Sequence, residues 1–311
     1  MNEMRMIVLF LFLIMMGANA QEVALIPDPH FQRGFKLFGT NPLKQSLLGT
    51  LGATAEMAPC WRLVEWWCDS SIAGTVAEVL PSGALKFQTK SRLVVLGPAG
   101  SPEADLTLGL NSIVEFGGRL RAANEDWPHL LVEQNFSECA HPSPPLDQLQ
   151  ALSFHVEARL LKDEQQKPEG YSPSLHAAQL LIYFTVANKK TGDFLWFGVV
   201  LYDDRTPMPG IQIYPGDGGS AGLGKYIYSP AVSSFTTESL HSRQWVTYDA
   251  NLLPLICDGL KAAWKDGFLP ESQTEGDYVV GYMSLGFELP GLHDIQAQVR
   301  NLRLSATEKA K

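Results

Sequence analysis

Asp203, Asp204 and Arg205 follow directly on a long apolar run, and Asp217 comes shortly after in a loop rich in Gly and Pro. Carboxylates and a guanidinium where a buried strand leaves a sheet suit three kinds of chemistry. They can hydrogen-bond sugar hydroxyls, with Arg205 also able to hold an anionic group. Two of the acids can act as the carboxylate pair of a glycosidase, retaining at about 5–5.5 Å or inverting at about 6.5–9.5 Å. Asp203, Asp217 and loop carbonyls can also form a hard oxygen site for calcium, although none of the other chemistry requires a cofactor. An ion pair that pins the loop would use the same residues.

A second group lies on candidate strands. Pro128–Gln134 alternates, with His129, Leu131 and Glu133 on one face and Leu130 and Val132 on the other. Four residues of strand rise separate His129 from Glu133 by about 13 Å, so each needs a partner from another strand. In Ala178–Val186, the residues Leu180, Ile182, Phe184 and Val186 form a core face, which leaves Gln179 and Tyr183 for a cleft. His176 precedes this run. On Phe194–Tyr202, Trp196 and Tyr202 share parity and are expected as platforms along one groove. Glu288, in Gly286-Phe-Glu-Leu-Pro290, is a further acid close to a strand end.

Three motifs fail on context. Gly216–Gly224 lacks the Gly-Lys-Ser/Thr of a phosphate-binding loop. Gly218-Gly-Ser-Ala-Gly222 matches Gly-x-Ser-x-Gly, but neither the strand before nor the helix after a nucleophile elbow is present. The seven histidines form no His-Glu-x-x-His set.

The elements that must position these groups are strands. Short β-prone segments recur at Gly74–Leu80, Leu85–Thr89, Arg92–Leu96, Asp105–Leu110 and Ser112–Arg121, separated by Gly and Pro turns. Leu152–Leu160 alternates cleanly, which turns Ser153, His155, Glu157 and Arg159 outward as a solvated face with cross-strand ion pairing. Trp61–Trp67 reads as a core strand in preference to a sugar-stacking surface, with Trp61, Leu63, Glu65 and Trp67 on one face and Trp66 on the other. The last strands are Tyr278–Leu289 and Ile295–Leu304. One amphipathic helix is expected over Leu252–Lys265, capped by Asp249 or Asn251, and Leu47–Ala55 has weak helical character. The fold class is all-β, a jelly-roll-like β-sandwich with one or two short helices.

The chain has 311 residues and a net charge of −9, which argues against an electrostatic grip on nucleic acid or anionic membrane. Residues 1–20 have the basic start, short apolar run and Ala-x-Ala end of a secretory signal, too short for a comfortable membrane span. A secreted protein without stable membrane insertion is therefore expected. Residues 21–59 would form an N-terminal arm and 60–311 a single sandwich domain. The four cysteines suggest two disulfides, Cys60–Cys68 and Cys139–Cys257. Asn135-Phe-Ser137 is a glycosylation pattern that matters in a eukaryotic host.

The pattern Trp196-Phe-Gly198 … Tyr202-Asp-Asp-Arg205, Tyr278–Glu288 and the closing Val299–Leu304 resembles secreted β-jelly-roll carbohydrate-active proteins, a class spanning carbohydrate-binding modules and jelly-roll lyases or hydrolases. The resemblance covers about the second half of the chain and implies a polysaccharide or oligosaccharide ligand. Two main readings follow, with a structural or adhesive surface protein as the third. One is a glycan-acting enzyme drawing its acid and base from Asp203, Asp217, His129, Glu133 and His176, with Arg205, Trp196, Tyr202, Tyr183 and Gln179 holding substrate. The other is a non-catalytic carbohydrate-binding protein using the same groove.

Overall fold

The computed structural model describes residues 22–53, 57–69, 71–139, 142–216 and 223–310. The leader read over residues 1–20, Asp217 and the whole Gly218–Gly222 motif lie outside the described residues.

Strands follow one another along almost the whole chain. The first part supplies β1 (Glu22–Ala24), β2 (Phe35–Phe38), β3 (Leu47–Leu51) and β4 (Trp61–Val64). A meander follows, with β5 (Glu78–Val79), β6 (Leu85–Gln88), β7 (Arg92–Leu96) and β8 (Leu106–Asn111). After the short helix α1 (Ser112–Glu115) come β9 (His129–Asn135), helix α2 (Phe136–Cys139) and the long β10 (Leu149–Gln166). The chain continues with β11 (Gln179–Asn188), β12 (Phe194–Asp203), β13 (Gln212–Tyr214), β14 (Ile227–Ser229) and β15 (Val246–Asn251). Helix α3 (Leu252–Lys265), β16 (Tyr278–Glu288) and β17 (Leu292–Glu308) complete it.

These strands form two sheets. One has the order β15-β10-β17-β8-β7-β6-β5, with β1 also on β17; the other runs β13-β14-β12-β11-β16-β9-β4-β2-β3. The architecture is a β-sandwich of jelly-roll type. The segment read as an N-terminal arm adds β1 to the first sheet and β2 and β3 to the second, so it is woven into both.

The pleat explains the core. Leu152, Phe154, Val156, Ala158 and Leu160 of β10 meet Leu180, Ile182, Phe184 and Val186 of β11 between the sheets, all at most 3% exposed. Alternate residues of β10 face solvent, where His155 pairs with Asp249 at 3.0 Å and Glu157 with Arg300 at 2.6 Å. Helix α3 starts at Asn251, whose side chain accepts from Leu253 N–H, and closes the apolar end below β14. Gly259 is required in that packing, because a Cβ there would sit 2.8 Å from the Tyr228 ring.

Several expectations are corrected. Ser112–Arg121 is not a strand: Asn111 caps a helical turn by accepting from Val114 N–H, and the chain leaves through Gly117 and Gly118. The weakly helical Leu47–Ala55 contributes the edge strand β3, and Gly74–Leu80 pairs only over Glu78–Val79. Trp61, Leu63 and Glu65 do face inward, but Trp67 has φ 58°, which breaks the alternation and puts it on the same side as Trp66. All four cysteines are free thiols, so neither Cys60–Cys68 nor Cys139–Cys257 is bonded. Cys68 is buried against the Trp66 and His129 carbonyls, 3.5 Å from each, and burial pushes its thiol up to about 12. Cys60 faces Cys139 and accepts a hydrogen bond from Arg33.

A buried ion cluster locks the segment that carries Trp66 and Trp67. Arg92 of β7 pairs with Glu65 and with Glu115, each at 3.0 Å, and all three side chains are at most 3% exposed. Glu65 also accepts from Ile72 N–H and Ser71 Oγ, and Glu115 accepts from Asp69 N–H. Removing one member of such a cluster strands the others in the interior. We expect Arg92→Met to cost about 3–5 kcal/mol, read from denaturant unfolding. Reduction with dithiothreitol should leave the melting temperature unchanged; a fall of several degrees would mean that a disulfide forms.

Candidate functional site

The outer face of the second sheet is concave and holds a groove of about 580 Å³. Cross-strand register builds it in rungs. One rung sets His129, Glu288 and Gln179 side by side across β9, β16 and β11. The next is apolar and low, with Leu131, Gly286 and Leu181. The third carries Arg62, Glu133, Ser284, Tyr183 and Gly198, and the fourth Tyr282, Thr185 and Trp196. Gly198 is needed where Tyr183 crosses β12, since a Cβ there would lie 2.9 Å from the tyrosine ring.

Aromatic rings wall this floor. Trp66 and Trp67 stand on the β4 side and Trp127 beside His129. Trp196 stands beyond Tyr183, its centroid 5.8 Å from Tyr183, 4.9 Å from Phe194 and 6.4 Å from Tyr282. Flat apolar rings around a few polar groups make a site for a ligand with flat faces and hydroxyl edges.

The polar groups fall into two sets. At one end His129 stacks on Trp127, centroids 5.6 Å apart, and its Nδ1–H donates to the Trp127 carbonyl at 2.8 Å. That bond turns Nε2 towards Glu288, 3.6 Å from its Oε2. Burial alone would raise the Glu288 carboxyl, but the His129 charge and the hydrogen-bonding groups of His129 and Trp127 outweigh it and hold it low. Two rungs away, Glu133 is 5% exposed beneath Tyr282, Trp66 and Arg62. Burial dominates there and raises its carboxyl, although Tyr282 and the Arg62 guanidinium, 3.7 Å away, pull the other way. One carboxyl is thus lowered and the other raised from the ordinary value. Environments that push two carboxyls in opposite directions are the arrangement acid–base chemistry needs.

The structure sorts the residues singled out from the sequence. His129, Glu133, Tyr183 and Trp196 line the groove together with Glu288, and His129 finds its partner in Glu288 and Glu133 in Arg62. Asp203, Asp204, Arg205, Tyr202, Gln179 and His176 do not line it. A β-bulge at Leu201 is the reason for Tyr202: Leu180 opposes Tyr202 while Leu181 opposes Val200, so the extra residue turns Tyr202 inward. Its hydroxyl donates to Asp163 at 2.6 Å, and Asp163 also holds His293 Nδ1 at 2.7 Å. Asp204 accepts from Ala178 N–H and from Gln165, each at 2.8 Å. These groups tie β12 of one sheet to β10 and β17 of the other.

Asp203 is 1% exposed, and both of its oxygens are occupied. Oδ1 accepts from Arg205 N–H and Nε at 3.1 and 2.7 Å, and Oδ2 from Arg205 Nη2 and Gln179 Nε2 at 2.5 and 2.9 Å. No oxygen remains for calcium, and among the described residues no cluster of three His, Cys, Asp or Glu side chains could hold a metal. Gln179 neighbours Glu288 across the strands, so this pair buttresses the rung that bears Glu288. His176 also works from behind the groove. Its Nδ1 accepts from Ser172 N–H and its Nε2–H donates to the Arg121 carbonyl, each at 2.9 Å. Arg121 lies 4.9 Å over Trp127, so His176 fastens the loop that carries one groove wall.

Trp66, Trp67, Trp127, Phe194, Tyr282 and Arg62 were not singled out as site residues. The Trp-rich run after β3 is the sequence signal for two of them, since clustered tryptophans can stack on sugars as well as fill a core.

Asp163 and Asp203 are held low, Asp163 by His293 and Asp203 by Arg205, each against burial. A depressed carboxyl contributes stability that is present above its unfolded value and is lost as pH falls through its folded value. Asp204 is raised by burial and has the opposite sign. Unfolding should therefore set in below the usual carboxylate range, with Asp204 offsetting part of the loss. Asp203→Asn should cost about 1–3 kcal/mol in urea at pH 7 while leaving ligand retention by the groove intact.

No protein-family model matches the chain, and no curated protein matches it. Solved structures similar to it include the family 11 xylanase from Neocallimastix patriciarum, at 12% identity and TM-score 0.37, covering 75% of this chain and 95% of that one. The native family 12 xyloglucanase from Bacillus licheniformis aligns at 10% identity and TM-score 0.41, covering 75% and 97%. The endoglucanase Cel12A from Rhodothermus marinus aligns at 8% identity and TM-score 0.38, covering 76% and 97%. Identities of 8–12% leave every residue assignment to the geometry of this chain itself.

Proposed function

We propose that the protein is a secreted glycoside hydrolase that binds a glycan chain along the concave groove and cleaves it between Glu133 and Glu288. The observation that carries this reading is the pair of carboxyls, one raised by burial and one held low by its neighbours, on the floor of one aromatic groove. Rings such as Trp66, Trp127 and Trp196 stack on sugar faces, and the side chains between them meet hydroxyls.

Glu133, whose carboxyl is raised by burial, is the general acid that protonates the leaving oxygen. Glu288, held low by His129 and Trp127, is the base that takes a proton from the attacking water. Its backbone position lies four residues of strand rise, about 13 Å, from that of Glu133. A retaining pair needs its carboxyls about 5–5.5 Å apart and an inverting pair about 6.5–9.5 Å, so the wide backbone offset sits nearer to single displacement with inversion. His129 holds its Nδ1–H on the Trp127 carbonyl, which turns Nε2 towards Glu288 and fixes the geometry of that pair.

Glu133→Gln and Glu288→Gln should each lower kcat about 10²–10⁴-fold while the polymer is still retained on affinity gels. Activity should require a pH above the Glu288 value and below the Glu133 value. Loss of the alkaline limb in Glu133→Gln would identify the acid. Polarimetry or proton NMR of the first product should show the inverted anomer. Retention without release of reducing ends, across neutral and acidic polysaccharides, would make the protein a binding module.

A further inference from the structure

Arg62 is more than a counter-ion to Glu133. Its guanidinium lies 4.1 Å above the Phe38 ring, and Nη2 donates to Gln45 Oε1 at 2.5 Å. These contacts hold the fork in one orientation. Nε has no hydrogen-bond acceptor, and no described residue accepts from Nη1, although the side chain lines the groove. Because Gln45 spends its oxygen on Arg62, its amide N–H groups remain available as donors in the same corner. Donors converge here with no acceptor to receive them.

The charge balance points the same way. A general acid must carry its proton when substrate binds, and burial favours that form of Glu133. In that form Glu133 is a weaker partner for Arg62 than an ionised carboxylate. The other carboxylate on the floor, Glu288, lies two rungs away beside His129. Arg62, its side chain 20% exposed over the Phe38 ring, then has Glu133 beside Nε at 3.7 Å and keeps Nη1 for a charge that the ligand brings.

Resting on the glycan reading above, we propose that the preferred substrate carries carboxylate groups. A uronate unit docks on Arg62 and Gln45 at the Glu133 end of the groove. A planar carboxylate matches the guanidinium fork and can accept from Nη1 and from the Gln45 amide together.

The test compares a polysaccharide bearing glucuronate side groups with the same polymer after chemical reduction of its carboxyls to alcohols. Retention on affinity gels and reducing-end release are both measured on the full chain. We expect about a tenfold or greater preference for the acidic polymer, weakening as salt is added. Arg62→Met should bring the ratio between the two polymers close to one, whatever its absolute rate, and Arg62→Lys should keep part of the preference. Equal handling of both polymers by the unmodified protein overturns the inference and leaves glycan hydrolysis standing. So does a preference that survives Arg62→Met. If neither polymer is retained or cleaved, the glycan reading fails and takes this inference with it.

Discussion

A strand shows its side chains alternately to two faces, and in this sandwich the second sheet must use both. One set of alternate residues on β9, β11 and β16 fills the space between the sheets. Leu130, Val132, Ile182, Phe184, Leu285 and Phe287 are all fully buried there. The other set has no sheet above it and can face a groove. Each polar group on the groove floor is therefore held by an apolar neighbour one residue away. Slipping the register by one residue would drive Glu133 and Glu288 into the core and expose the leucines.

Around that alternation, buried polar clusters hold the parts that a pleat cannot position. The Arg92 cluster fastens the turn that bears Trp66 and Trp67. His176 and Arg121 fasten the loop that bears Trp127. Asp203 with Arg205, and Asp163 with His293 and Tyr202, fasten the end of β12. Each uses residue types that would also serve an active site. What separates them from the groove is that they do not line it and that their carboxylates already accept from protein donors.

Much of the fold was legible in the chain. The alternation over Leu152–Leu160 and Ala178–Val186, and the helical spacing over Leu252–Lys265, correspond to β10, β11 and α3. The faces of His129, Leu131 and Glu133 were also correct. Errors fell where local geometry departs from period two. The bulge at Leu201 reversed Tyr202, the positive φ of Trp67 moved a tryptophan from core to groove, and an Asn cap made a helical turn of Ser112–Glu115. The disulfides failed because an even cysteine count carries no distances.

The sequence by itself determined the class of fold, the apolar face of each long strand, and that His129 and Glu133 could not pair with each other. These follow from spacing along one chain. Only the tertiary structure decided which acids share a site. The partner of His129 lies 159 positions further along the sequence, and antiparallel pairing of β9 with β16 is what brings Glu288 to it. The same pairing set the opposite environments of the two carboxyls, because burial and neighbouring charge belong to the packed arrangement and to neither residue alone.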